Sequence, residues 1–310
     1  MRSVLLCPGQ GAQYVGMGKD LAARFPRARD VFQAADETLN VSLSRIMWEG
    51  PEEELTLTHN AQPAILVHTL AVHAVIRDVL EPVAAAGHSL GEYAAYAALA
   101  WLATGDAVRL VRRRGELMLE AGKRREGAMS AVIGLDPEQV EAMCREASDD
   151  GQVVVPANLN APGQVVISGD PSAVERASAL LKEAGAKRVM PLKVSGAFHS
   201  PLMEPAGIGL RGELDRARLR EGTVPVIANA SGTAVSDVAT ARRLLGEQLT
   251  APVRWVESMR TALAMAGEAR FVEMGPGTVL AGLLKRVDRG AVSVSLGTAD
   301  EVEAFLERGA

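Results

Sequence analysis

The chain has 310 residues, a large apolar fraction and a net charge of −5. That length accommodates one large domain with a smaller companion and a substantial core, and the acidic balance argues against a nucleic-acid binder, which needs a basic excess to meet phosphate. No stretch approaches the roughly 20 apolar residues of a membrane span, the N-terminal apolar run is too short for a signal peptide, and Cys7 and Cys144 stand far apart without metal-ligand spacing; a soluble, cytoplasmic protein with free thiols is expected.

From the N-terminus, Val4 to Cys7 reads as a buried strand. It runs into Pro8-Gly9-Gln10-Gly11-Ala12-Gln13, which lacks the spacing and the lysine of a phosphate-cradling loop. A plain strand-to-helix connection is one reading of this turn. The other is that a backbone N–H here, that of Gln10, supplies half of an oxyanion hole. Helical segments follow through Leu21 to Thr38, and another runs from Gln62 to Leu80 after a turn at Asn60-Ala61. Its His68 and His73 fall on different faces, which disfavours a shared metal.

Pro82 to Ala86 is short and apolar, as a buried strand should be, and Tyr93 to Leu102 is rich in alanine and leucine, as a helix should be. Between them lies Gly87-His88-Ser89-Leu90-Gly91, which fits a nucleophile elbow: glycines two before and two after Ser89 permit a sharp strand-to-helix corner, with the N–H of Leu90 aimed at a developing oxyanion. The plain alternative is a glycine-flanked turn with a surface serine. Thr104-Gly105-Asp106 reads as a turn and N-cap before a basic helix, Ala107 to Ala121. Arg112, Arg113 and Arg114, then Lys123, Arg124 and Arg125, form either a solvated face or a local site for an acidic ligand.

From Ala128 the pattern changes. Met129 to Leu135, Val153 to Asn158, Gln164 to Ser168 and Lys187 to Lys193 read as strands, with helices at Pro137 to Ala147 and Ala173 to Ala184. The order strand-helix-strand-strand-helix-strand matches a ferredoxin-like unit. A small domain over 127–193 is therefore expected inside a larger one formed by 1–126 and 194–310. After the polar crossing Val194 to Pro201, a helix (Met203 to Leu219), a strand (Val224 to Asn229), a helix (Ala241 to Leu249) and a strand (Phe271 to Met274) ending in Gly275-Pro276-Gly277 complete an α/β pattern. Such alternation implies a mainly parallel, helix-covered sheet.

Together these segments resemble the malonyl-CoA:acyl carrier protein transacylases and the related acyltransferase domains of fatty acid and polyketide synthases. The resemblance rests on Pro8 to Gln13, Gln62-Pro63-Ala64, Gly87 to Tyr93, Arg114-Gly115, Pro156 to Gln164, Gly196-Ala197-Phe198-His199-Ser200, Pro252-Val253-Arg254-Trp255 and Glu273 to Gly277, in family order over nearly the whole chain. It implies a hydrolase-like large domain with an inserted ferredoxin-like domain and a cleft between them. The family's nucleophile falls on Ser89, its catalytic histidine on His199, its carboxylate-binding arginine on Arg114 and its oxyanion donors on the backbones of Gln10 and Leu90. The glutamine whose main-chain carbonyl orients the histidine corresponds to Gln248, on a weaker motif. Cys7, where many relatives carry phenylalanine, affects local packing only.

The chemistry this implies is a two-step exchange. A neutral imidazole takes the serine proton and returns it to a leaving thiol. If its other nitrogen faces a backbone carbonyl, the site is a Ser/His dyad. Malonyl-CoA and acyl carrier protein are the implied partners, and no metal or redox cofactor is required. Arg114 either pairs on the helix surface or grips a malonyl carboxylate. Phe198 goes with malonyl in the family, where a smaller residue goes with branched acyl groups. His88, Gln62, Asn158 and Asn160 are expected to shape the cleft by hydrogen bonding. Two rival outcomes follow from the same residues: transfer to water, which makes a thioesterase, and a carrier-protein-binding module with no covalent step.

Overall fold

The computed structural model describes residues 1–149 and 151–309. β1 (Arg2–Cys7) is followed by α1 (Lys19–Arg24), α2 (Pro26–Leu39), α3 (Leu43–Glu49), α4 (Glu52–Thr56) and the long α5 (Thr58–Ile76). Next come β2 (Glu81–Gly87), α6 (Gly91–Ala98) and α7 (Thr104–Arg124). The middle of the chain forms β3 (Ala128–Ile133), α8 (Pro137–Ala147), β4 (Val154–Ala161), β5 (Gln164–Gly169), α9 (Pro171–Glu183) and β6 (Arg188–Pro191). The last part contains α10 (Glu204–Arg216), β7 (Val226–Ile227), β8 (Ala234–Val235), α11 (Val238–Glu247), α12 (Trp255–Ala266), β9 (Arg270–Met274), α13 (Val279–Val287), β10 (Ser293–Leu296) and α14 (Ala299–Gly309).

Six strands form one sheet in the order β10-β9-β1-β2-β7-β8, parallel except for the β7–β8 pair. β1 lies at its centre, and its alternation divides the core. Leu5 and Cys7 point into the cluster shared with α2, α5, α6 and α7, while Val4 and Leu6 point into the one shared with α12 and α13. A sheet covered on both faces leaves no polar side to its strands, so both of these alternating pairs are apolar. This is the expected hydrolase-like α/β body.

β3 to β6 form a second, antiparallel sheet in the order β4-β5-β3-β6, with α8 and α9 on one face, which is the ferredoxin-like arrangement. Val132, Val165 and Ile167 face those helices; Ala131 and Val166 face the other way and join the core of the large body. β4 is also tied through backbone to the connection between α11 and α12: Leu159 N–H donates to Val253 O at 2.9 Å and Val253 N–H to Ala157 O at 2.8 Å. No helix among the described residues is long and apolar enough to cross a membrane.

Several boundaries differ from the sequence reading. α5 begins at Thr58, so Asn60 and Ala61 lie in its first turn and not in a loop. Pro63 lacks the N–H that would bond the His59 carbonyl, and Arg112 Nη1 donates to that carbonyl at 3.1 Å instead. α7 begins at Thr104 with Ala103 as its N-cap; Asp106 sits inside the first turn and pairs with Arg109. The strand expected over 224–229 pairs with β2 at only two residues, because Asn229 turns into the site described below. The sequence reading assigns no element to α3, α4, β8, α12 or the stretch after Gly277, although Leu280, Leu283 and Leu284 carry helical spacing and are buried.

Candidate active site

β2 ends at Gly87 and α6 starts at Gly91, so Ser89 stands at a strand-to-helix corner. The corner is tight enough to demand both glycines. A Cβ on Gly87 would lie 1.9 Å from the Gly91 carbonyl carbon, and one on Gly91 would lie 2.1 Å from the Cys7 oxygen. Ser89 itself has φ of 54°, a left-handed conformation that costs a serine of order 1–3 kcal/mol unless its surroundings hold it. Two hydrogen bonds do so: Ser89 N–H donates to Asn229 Oδ1 at 2.7 Å, and Gln248 Nε2 donates to Ser89 O at 3.0 Å.

His199 comes from the crossing between β6 and α10 and also adopts a left-handed φ, 57°. Its Nε2 lies 2.8 Å from Ser89 Oγ. Its Nδ1 lies 2.9 Å from Gln248 O and 3.2 Å from Ala251 O. Both are carbonyl acceptors, so Nδ1 carries the proton and Nε2 presents its lone pair to the serine. Burial, reinforced by the positive charge of Arg114, pushes the imidazole down to about 3, so it is neutral at physiological pH and ready to accept a proton. Among the described residues, no carboxylate hydrogen-bonds the ring.

Arg114, on α7, is 1 % exposed, whereas Arg112 and Arg113 on the same helix pair with Glu116 at its surface. Nη1 donates to Gln62 Oε1 at 2.7 Å; Nη2 donates to Gln248 Oε1 at 3.0 Å and to Ser89 Oγ at 2.9 Å. The guanidinium lies over the Tyr93 ring, 5.6 Å from its centroid, and Nε has no partner among the described residues. A buried cation is thus held against the Ser89 hydroxyl.

Ser89 and His199 line a cleft of about 320 Å³, and Arg114 lies behind Ser89, bonded to its Oγ. Gln10, His88 and Phe198 line it from the side of the large sheet, and Met129, Asn158 and Leu192 from the side of the small one. His88 Nε2 and Asn160 Oδ1 meet at 2.8 Å across the two sides. Gln62 is fully buried and contacts Arg114 and Met118, so it lies behind the guanidinium and off the cleft wall. The backbone N–H groups of Gln10 and Leu90 donate to no other group among the described residues, whereas the neighbouring N–H groups of Ser89 and Gly91 are taken. Of the site residues expected from the sequence, Gln10, His88, Ser89, Asn158, Phe198 and His199 line the cleft, while Arg114, Gln248 and Asn160 reach it through hydrogen bonds to Ser89, His199 and His88.

Two residues of this site were missed. Asn229 spans the elbow, donating Nδ2 to Gly87 O at 2.7 Å while its Oδ1 accepts from Ser89 N–H. Glu92, fully buried, accepts from Asn229 N–H at 3.0 Å and from Gln248 Nε2 at 2.6 Å. Burial raises its carboxyl to about 7, against the pull of these two bonds and of Arg114. The available signal was a glutamate three residues after Ser89, on a face of α6 otherwise lined by alanine and tyrosine.

A family model described as an acyl transferase domain matches residues 4–305. The chain belongs to the acyl transferase family. Among relatives within that family, the malonyl CoA-acyl carrier protein transacylase of Bacillus subtilis is 46 % identical over 303 residues, which cover 97 % of this chain and 95 % of that protein. A solved acyl carrier protein S-malonyltransferase from Vibrio cholerae is 40 % identical, with a TM-score of 0.92 over 98 % of this chain and 99 % of that one. A type II PKS acyl-carrier protein in complex with its malonyl-transacylase includes a chain 38 % identical, with a TM-score of 0.93 over 99 % of this acyltransferase and 100 % of that chain.

Proposed function

We propose that this acyltransferase moves a malonyl group from malonyl-CoA to the phosphopantetheine thiol of an acyl carrier protein, through a malonyl ester on Ser89. The observation that carries the reading is the position of Ser89 Oγ, 2.8 Å from a neutral imidazole and 2.9 Å from a buried guanidinium. Relatives named as transacylases for these two substrates support the substrate assignment.

In the first half-reaction Ser89 Oγ attacks the thioester carbonyl carbon as its proton passes to His199 Nε2. The oxyanion is received by the free N–H groups of Gln10 and Leu90. The C–S bond breaks, and the imidazolium returns its proton to the departing CoA thiolate. The second half-reaction reverses these roles: His199 takes the proton of the carrier thiol, sulfur attacks the ester, and Ser89 regains its hydrogen. The carbonyls of Gln248 and Ala251 hold the ring in the required tautomer, making the pair a dyad. Arg114 receives the malonyl carboxylate with its uncommitted donors, and Gln62 keeps the guanidinium in place. Phe198 sets the width of the acyl pocket, and His88, Asn158 and Asn160 form the wall against which the acyl group lies.

On this reading the chain divides into a catalytic domain of 1–126 and 194–310 and an inserted domain of 127–193, with the cleft between them. The test is CoA release from malonyl-CoA with and without holo acyl carrier protein. Transfer predicts one CoA per enzyme without acceptor and continuous turnover with it. Continuous release without acceptor would instead identify a thioesterase, and no release at all would leave only a binding module.

A further inference from the structure

Glu92 touches no reacting atom, yet each of its partners holds one that does. Its Oε2 receives the N–H of Asn229 and the Nε2 of Gln248. Asn229 closes the elbow by bonding Gly87 O and Ser89 N–H. Gln248 contributes three contacts: its carbonyl accepts from His199 Nδ1, its Nε2 donates to Ser89 O, and its Oε1 accepts from Arg114 Nη2. A carboxylate can only accept, so Glu92 together with Ser89 O dictates which end of the Gln248 amide faces inward, and Oε1 is thereby turned to the guanidinium. No direct ion pair joins Glu92 to Arg114 among the described residues; a single amide stands between the two buried charges. The remaining oxygen, Oε1, has no partner. A neutral side chain of the same shape would satisfy the two donors without burying a charge, so the charge itself calls for an explanation.

We propose that Glu92 is a positioning residue for acyl transfer: its carboxyl group, acting through Gln248 and Asn229, holds the Ser89 elbow, the carbonyl behind His199 and the guanidinium of Arg114 in one register. This inference rests on the acyl-transfer reading and extends it to a residue that meets no substrate. Its sense is that of preorganisation: the two charge-assisted bonds fix groups whose displacement by even 1 Å is expected to slow the chemistry by about a hundredfold.

The test is Glu92→Gln in the full chain at pH 8, above the value of about 7 to which burial raises the wild-type carboxyl, read by rapid-quench formation of the malonyl-enzyme, by kcat against KM and by thermal unfolding. The amide keeps an acceptor for both donors and removes the charge. The expected result is a fall of about tenfold or more in the acylation rate and kcat, with KM for malonyl-CoA changed by less than about threefold and the melting temperature unchanged or higher. A Glu92 that served the fold alone would give an unchanged rate per folded molecule, and that result overturns the proposal. Combining Glu92→Gln with Gln248→Leu supplies the second measurement. A double variant no slower than Gln248→Leu alone supports action through Gln248, and fully multiplicative losses contradict it. Should Glu92→Gln fail to fold, Glu92→Asp, which withdraws the charge by one methylene, replaces it in the same cycle. Wild-type protein that forms no malonyl adduct would remove the acyl-transfer reading and this proposal together. Wild-type loading matched by Glu92→Gln would remove the proposal alone.

Discussion

The two sheets meet at the cleft but contribute to it differently. From the six-stranded body come Ser89, His199, Arg114 and the buried polar groups that fix them, each with one or more hydrogen bonds of 3.0 Å or less. From the four-stranded unit come Met129, Asn158 and Leu192, which form a wall, and Asn160, whose Oδ1 meets His88 of the opposite side. Ser89, His199 and Arg114 thus all belong to the part of the chain that carries the six-stranded sheet, and the four-stranded unit supplies shape. A strained elbow needs a sheet buried on both faces to hold it, whereas a wall needs only to be in contact.

The largest effects should lie on the six-stranded side. Ser89→Ala is expected to abolish acyl-enzyme formation and lower transfer by roughly 10⁴-fold, and His199→Ala to lower it by roughly 10³-fold, both measured by CoA release under single turnover. Arg114→Ala sharpens the comparison within that side. Transfer of malonyl should fall roughly 10²-fold while acetyl transfer holds or improves, because the cost is that of losing a carboxylate's buried partner; an equal fall for both acyl groups would assign Arg114 to the fold.

Acid should distinguish the two regions without any mutation. All five histidines lie outside 127–193. Burial pushes His68 and His73 down to about 4, and His199 to about 3. Between their ordinary value near 6.5 and these values the unfolded chain binds more protons than the folded one, so stability falls as pH drops through that window. Glu92, raised to about 7, works in the opposite sense over its upper part. With three imidazoles against it, hydrogen exchange at pH 5 should show the six-stranded sheet losing protection relative to pH 7 before β3 to β5 do. The smallest effect belongs to the wall: Asn160→Ala removes one neutral hydrogen bond, worth about 1 kcal/mol, and should slow malonyl transfer about fivefold. A loss as large as that from His199→Ala would move the wall into the machinery.

Much of this site was legible from the sequence because its constraints are local. Glycines two before and two after Ser89 are required by contacts of 1.9 and 2.1 Å that any such corner creates. The small unit was equally readable, since its strands alternate between two apolar environments and its helices start at Pro137 and Pro171, near the expected ends. What escaped depends on distant partners. The start of α5 is set by Arg112, some 50 positions away, which satisfies the carbonyl that Pro63 leaves free. The two residues of β7 cannot be told from a longer strand until Asn229 is seen turning toward Gly87. Glu92 has no role in the sequence reading, because its partners Asn229 and Gln248 each lie more than 130 residues downstream.

The central claim is that Ser89 carries the acyl group, and intact-protein mass spectrometry after brief exposure to malonyl-CoA tests it most directly. The account predicts a gain of one malonyl mass on the wild-type chain, mapped by fragmentation to the peptide containing Ser89, discharged by holo acyl carrier protein and absent from Ser89→Ala. A malonyl group carried by Ser89→Ala, or none on the wild-type chain while transfer proceeds, would contradict it.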